Sequence, residues 1–98
     1  MIKRSKGKSA NTVKVTFVIP HDSDQAPVSV VGDFNDWDPN ALKLVKRSND
    51  TRSASVDLAK GASYRFRYYA ADGTWFNDDA ADAYATGDQG ADDCIINL

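Results

Sequence analysis

The stretch Ser63-Tyr64-Arg65-Phe66-Arg67-Tyr68-Tyr69-Ala70-Ala71-Asp72-Gly73-Thr74-Trp75-Phe76 decides the fold. Tyr64, Phe66 and Tyr68 recur at every second position with Arg65, Arg67 and Tyr69 between them. This is the alternation of a strand with one face on a core and the other in water. Asp72-Gly73 then marks a hairpin, because a type I′ turn needs positive φ at both central residues and this dipeptide accepts it cheaply. Trp75-Phe76 therefore begins the returning strand.

Upstream, Thr12 to Ile19 repeats the pattern, with Val13, Val15, Phe17 and Ile19 on one side and Lys14 and Thr16 opposite, and Pro20 ends the strand. His21 to Pro27 reads as a polar turn, and Val28 to Val31 as a second apolar strand. Leu42 to Arg47 forms a shorter strand, Ser48 to Thr51 a turn, and Ala54, Val56 and Leu58 alternate in the next, so the pair reads as a hairpin. Downstream, Asn77 to Asp93 carries six Asp and two Gly without sustained periodicity, which predicts a long acidic surface loop. Asp93 to Leu98 closes the chain as a strand. About seven short strands predict an all-β fold, an antiparallel immunoglobulin-like β-sandwich. The absence of a Cys-Trp-Cys pattern excludes an antibody-type domain.

Composition agrees. All fourteen acidic residues are Asp and none is Glu, and Asp favours turns and caps over helix interiors. Ninety-eight residues are one domain, able to bury roughly two-thirds of the extended chain's surface. The predicted division is a disordered basic tail over 1–11, followed by one domain over 12–98. Lys3, Arg4, Lys6 and Lys8 sit in that tail, leaving eight basic against fourteen acidic residues afterwards. A body near −6 does not suit nucleic acid, whose binding draws on clustered Lys and Arg. No apolar run follows the basic start and none approaches a membrane span, so the expectation is a cytoplasmic protein without membrane association. Cys94, the one cysteine, has no disulfide partner and reads as a small core residue.

Catalysis asks for convergent acid, base or nucleophile. The chain offers one histidine, His21, in a Pro-His-Asp turn, and carboxylates without the deep cleft that glycoside hydrolysis requires. The expectation is a protein that is not an enzyme. Asn77 to Asp82 lacks the alternate spacing and closing Glu of a calcium loop, so it reads as solvated charge, with no metal and no cofactor implied.

The informative stretch is Val30-Val31-Gly32-Asp33-Phe34-Asn35-Asp36-Trp37-Asp38-Pro39-Asn40, a β-branched run breaking into a tight turn with two aromatics. Gly32 is read as supplying backbone freedom. Of Phe34 and Trp37, one can anchor the loop while the other meets solvent. Trp37 and Trp75 both lie among Asp, Asn and Thr. An indole in such company suits sugar recognition, its flat face stacking on the C–H side of a pyranose while polar neighbours bond the hydroxyls. Arg67, on the wet face of its strand, is a candidate donor. The other reading is that both rings cover the sandwich core.

Val-Val-Gly-Asp-Phe-Asn-Asp-Trp, Tyr-Arg-Phe-Arg-Tyr-Tyr-Ala-Ala-Asp-Gly-Thr-Trp and the closing Cys-Ile-Ile-Asn-Leu together resemble carbohydrate-binding module family 48. This is the early-set, isoamylase-type amino-terminal domain of glycogen branching and debranching enzymes, also found as the glycogen-binding domain of the AMP-activated kinase beta subunit. The likeness spans residues 12 to 98. It implies non-catalytic binding of an α-1,4-glucan, polysaccharide or oligosaccharide, with Trp37 and Trp75 stacking on glucose units and Arg67 bonding hydroxyls. Asn35 and Asp93 complete the expected carbohydrate-binding set. The family's Thr and Asn contacts before the last strand fall near Ala91 and Asp93, its glucan-piercing leucine falls near Gln89, and an extra alanine, Ala70 or Ala71, lengthens the hairpin before Trp75. Many family members instead pack beside a catalytic barrel, so the alternative implied partner is a glucan-active enzyme or other protein, docked without sugar.

Overall fold

The computed structural model describes residues 1–87 and 92–98, and within them the chain is all β. Nine strands form in order: β1 Ile2–Lys6, β2 Thr12–Pro20, β3 Val28–Gly32, β4 Val45–Lys46, β5 Thr51–Ala59, β6 Ser63–Ala70, β7 Trp75–Phe76, β8 Ala83–Thr86 and β9 Asp92–Asn97. One antiparallel sheet runs β1-β2-β5-β4. The second runs β3-β6-β9-β8, with β7 also on β6. The expected antiparallel sandwich is what forms.

Alternation makes the sandwich. Val15, Phe17 and Ile19 of β2 and Ala54 and Leu58 of β5 meet Val28 and Val30 of β3, Phe66, Tyr68 and Ala70 of β6, and Cys94 and Ile96 of β9 in one interior cluster. Its centre is aromatic. The Phe17 ring centroid lies 4.8 Å from Phe66 and 6.4 Å from Tyr68. Such tilted and edge-on pairs each add about 0.5–1.5 kcal/mol beyond the area they bury.

β6 is the axis of the second sheet. Along one edge it pairs with β3, from Val28 opposite Ala70 to Gly32 opposite Phe66. Along the other it takes β9 beside Ser63–Phe66 and β7 beside Tyr68 and Tyr69. Because opposed residues in an antiparallel pair point to the same side, Arg65, Arg67, Tyr69 and Trp75 share the outer face.

Four expectations change. The basic segment predicted as a disordered tail supplies β1, paired over five residues with β2 from Ile2 opposite Phe17 to Lys6 opposite Val13. Ile2 packs on the core, the Met1 amino group donates to Val18 O at 2.8 Å, and Arg4 pairs with Asp82. The charges sit along an edge strand, where they cost little and discourage pairing with other chains.

The Asp72-Gly73 hairpin forms but not as type I′. Ala70 O accepts from Gly73 N and Ala70 N donates to Thr74 O, and only Gly73 of the pair has positive φ, 93°. This is a three-residue loop, a type I turn closed by a left-handed glycine. The extra alanine is thereby absorbed, and Trp75 stays opposite Tyr69.

The supposed acidic loop contains β8, which pairs with β9 from Ala83 opposite Ile95 to Thr86 opposite Asp92. Its Asp78 is not surface charge. Only 4% of Asp78 is exposed, and its Oδ2 accepts from the Tyr68 hydroxyl at 2.7 Å and from the Met1 amino group at 2.9 Å. Asp78 lies two residues past Phe76, beyond the end of β7, and turns to the same inward side as Phe76. Lastly, Leu42 to Arg47 splits. Val45–Lys46 joins the first sheet, while the segment before it borders β3 through Val30 N to Leu42 O, Leu44 N to Val28 O and a bridge between Ser29 and Lys43.

Candidate functional site

Gly32 ends β3 where the backbone of β6 comes close. A Cβ there would stand 2.4 Å from Arg65 O, so glycine is required by space rather than by turn conformation. Asp33 then ties the turn to β6 twice, its N donating to Arg65 O and its Oδ1 accepting from Arg65 N. Phe34 turns inward, stacked 6.2 Å from Phe17 and edge-on to Tyr64. It is the anchor of the pair.

Asn35 holds the turn shut. Its Oδ1 accepts from Gly32 N and its Nδ2 donates to Val30 O, both at 3.0 Å. The amide expected to meet sugar is engaged with backbone, so Asn35 shapes the loop. The next two residues, Asp36 and Trp37, both have φ near 57°. Asp tolerates this left-handed region, but a bulky ring there is a true outlier, held at a cost of about 1–2 kcal/mol. Trp37 N donating to Gly32 O at 2.9 Å closes the loop and fixes the ring's position.

The loop then folds back over the outer face of the second sheet. Ser29, which points away from the interior cluster, donates its hydroxyl to Pro39 O at 2.6 Å. Val31 points the same way, yet is fully buried. Residue by residue along the pairing, Ser29 lies beside Tyr69 and Val31 beside Arg67, so the Trp37 loop borders the Arg65-Arg67-Tyr69 row. Trp37 is 36% exposed.

On the other side of that row stands Trp75, 45% exposed. Its ring lies 4.7 Å from that of Tyr69, and the Arg67 guanidinium sits 5.4 Å from its centroid. A cation over an indole at an exposed site contributes about 0.5–1 kcal/mol, enough to bias the Arg67 rotamer. Arg67 Nε donates to Asn77 Oδ1 at 3.0 Å, and Asn77 Nδ2 donates to Asp92 O at 2.8 Å.

The outer face of β6 is thus a shallow amphipathic floor with the Trp75 indole on one side and the Trp37 loop on the other. The strands bearing the loop and Trp75 flank β6, two strand spacings or roughly 10 Å apart. A flat ring with apolar faces and a hydroxyl rim fits such a surface: aromatic area below, N–H donors at the edge. Of the five residues expected at the site, Arg67 and Trp75 meet on this floor, and Trp37 stands on the loop that borders it. Asp93 stands beside it but is covered, 9% exposed, its carboxylate 3.4 Å from Arg65 Nη1 and so close beneath Gly87 that a side chain there would collide with it. Gln89 and Ala91 lie outside the described residues. Tyr69 and Asn77 belong to the floor, and the strand parity that selected Arg67 could have found both.

Residues 9–85 match carbohydrate-binding module 48, described as the isoamylase N-terminal domain. No curated protein matches the chain. The matched span covers more than three-quarters of the sequence and includes Trp37, Arg67, Trp75 and Asn77, while stopping short of β9. With its two-sheet sandwich and a matched span this long, the chain belongs to carbohydrate-binding module family 48, a family of non-catalytic binding modules.

Proposed function

We propose that the protein binds α-1,4-glucan, as glycogen, starch or maltooligosaccharide, on the outer face of β6. The observation that carries this reading is the partial exposure of both indoles, Trp37 at 36% on the loop that borders the β6 row and Trp75 at 45% beside Arg67. Rings that served only to roof the core would pack against it, as Phe34 does on Phe17. Trp37 and Trp75 stack on glucose faces, and the Arg67 guanidinium donates to ring hydroxyls. Membership of a carbohydrate-binding family supports the ligand class.

An open, shallow site stays partly hydrated and gains little per contact, so the dissociation constant falls at roughly 10 μM to 1 mM, about −4 to −7 kcal/mol. Tryptophan fluorescence titrated with maltoheptaose and with glycogen tests this. The expected result is a saturable change, lost in Trp75→Ala. A folded protein whose emission does not respond up to about 10 mM maltoheptaose refutes the reading, that concentration being about tenfold above the weakest affinity expected.

A further inference from the structure

Arginine carries five N–H donors in one planar fork. In Arg67 the Nε–H is spent on Asn77 Oδ1, and the guanidinium lies over the Trp75 ring. Among the described residues, Nη1 and Nη2 have no protein acceptor, so they are the edge offered to a ligand. Asn77 is itself held, since its Nδ2 donates to Asp92 O at the start of β9. That bond also fixes which end of the amide faces Arg67: an amide turned the other way would put an NH₂ group against the Nε–H. One side chain therefore couples β6, the end of β7 and β9, and decides where the guanidinium edge points.

We propose that Asn77 is a positioning residue of the glucan site, holding Arg67 so that Nη1 and Nη2 present a two-pronged donor edge to adjacent hydroxyls of one glucose unit. The inference rests on the α-glucan reading. Two parallel N–H groups favour a vicinal diol over a single hydroxyl, because both donors are satisfied in one pose. Without Asn77, Arg67 keeps its charge and its indole but samples several rotamers, and the ordering cost moves to the binding step. For one long side chain that predicts roughly a 3- to 10-fold weaker affinity.

A mutant cycle measured by isothermal titration with maltoheptaose tests the assignment. Asn77→Ala is expected to weaken binding by about 3- to 10-fold in the wild-type background and to change it less than twofold in an Arg67→Ala background, since residues acting as one unit are non-additive. Asn77→Asp keeps the acceptor for Nε while losing the donor to Asp92 O, so it is expected to recover much of the loss. A role confined to bracing β9 would predict the reverse: Asp no better than Ala, and an equal loss with or without Arg67. Either of those results overturns the proposal, as does Asn77→Ala binding like wild type. If wild type itself fails to bind while folded, the α-glucan reading falls and this inference with it. If wild type binds and Asn77→Ala is silent, only this inference falls.

Discussion

Replacing Trp37 by alanine and by glycine separates its two properties, an exposed ring and a left-handed backbone. Both substitutions remove the indole, so both are expected to abolish glucan binding. Their stabilities should nonetheless differ, and in the unusual order. At an ordinary position glycine is the worse residue by about 0.5–1 kcal/mol, because it gives the unfolded chain more freedom. At φ 57° alanine still carries a Cβ that crowds the following carbonyl, at a cost of about 1–2 kcal/mol that glycine escapes. Taking about 1.5 kcal/mol of relief against about 0.7 of entropy leaves Trp37→Gly more stable than Trp37→Ala by about 0.8 kcal/mol. For a domain of this size that is about 3–6 °C in Tm. Thermal and urea unfolding followed by far-UV circular dichroism measure the order, and a maltoheptaose titration of each variant measures the site. An alanine variant as stable as the glycine variant, or more so, refutes the strain argument. Retained binding in either refutes Trp37 as a wall of the site.

Asn35→Ala removes two bonds that close the same turn; the expected cost is about 1–3 kcal/mol in urea unfolding, with weaker glucan binding because Trp37 loses its support. Asp78 gives a pH dependence. Burial alone would raise its pKa, but hydrogen bonds from the Met1 amino group, the Tyr68 hydroxyl and the Ala80 amide outweigh burial and hold the carboxyl below its usual value. The unfolded chain therefore takes up this proton first, so the stabilisation is complete above about pH 5 and is lost as pH falls from there through the folded value. The urea midpoint of wild type should fall more steeply between about pH 5 and pH 2.5 than that of Asp78→Asn, the range over which an unperturbed Asp begins to protonate; parallel declines would refute the assignment. Cys94, fully buried, has its thiol pushed up to about 11, chiefly by loss of solvation. Iodoacetamide at about pH 8 should leave it unmodified in the native protein and alkylate it once urea is added, since only the thiolate reacts.

Much of the fold was legible because strand alternation is local. A residue's neighbours at two positions either side set its face, and so Tyr64 to Tyr69 yielded both the core aromatics and the wet arginines. The turn chemistry was legible only in part. Asp72-Gly73 correctly marked a reversal, but whether the loop held two residues or three depended on where Trp75 found its partner across the sheet. β1 and β8 were missed for a shared reason. Each is an edge strand with no apolar alternation of large side chains, β1 being mostly charged and β8 only Ala-Tyr-Ala-Thr, and each is specified by a neighbouring strand offering open hydrogen bonds rather than by its own pattern. Asp78 looked like one more solvated carboxylate, and only the course of the chain past β7 turns it onto Tyr68.

The candidate site divides the same way. The sequence alone determined the sandwich class, the inward faces of β2, β5 and β6, the choice of Trp37 and Trp75 as rings among polar neighbours, and the choice of Arg67 as a donor on the wet face of its strand. Those properties rest on side-chain chemistry and a two-residue period, and both can be read along one chain. Tertiary structure decided which of these residues meet. It withdrew Asn35 into its own turn and Asp93 under Arg65, and it added Tyr69 and Asn77 to the floor. It also set Trp37 in a left-handed backbone. Those outcomes depend on how strands meet, Ser29 against Tyr69 and Tyr69 against Trp75, and on the side-chain bond from Asn77 to Asp92. A register is a property of two strands and the core between them, so neither strand's sequence contains it.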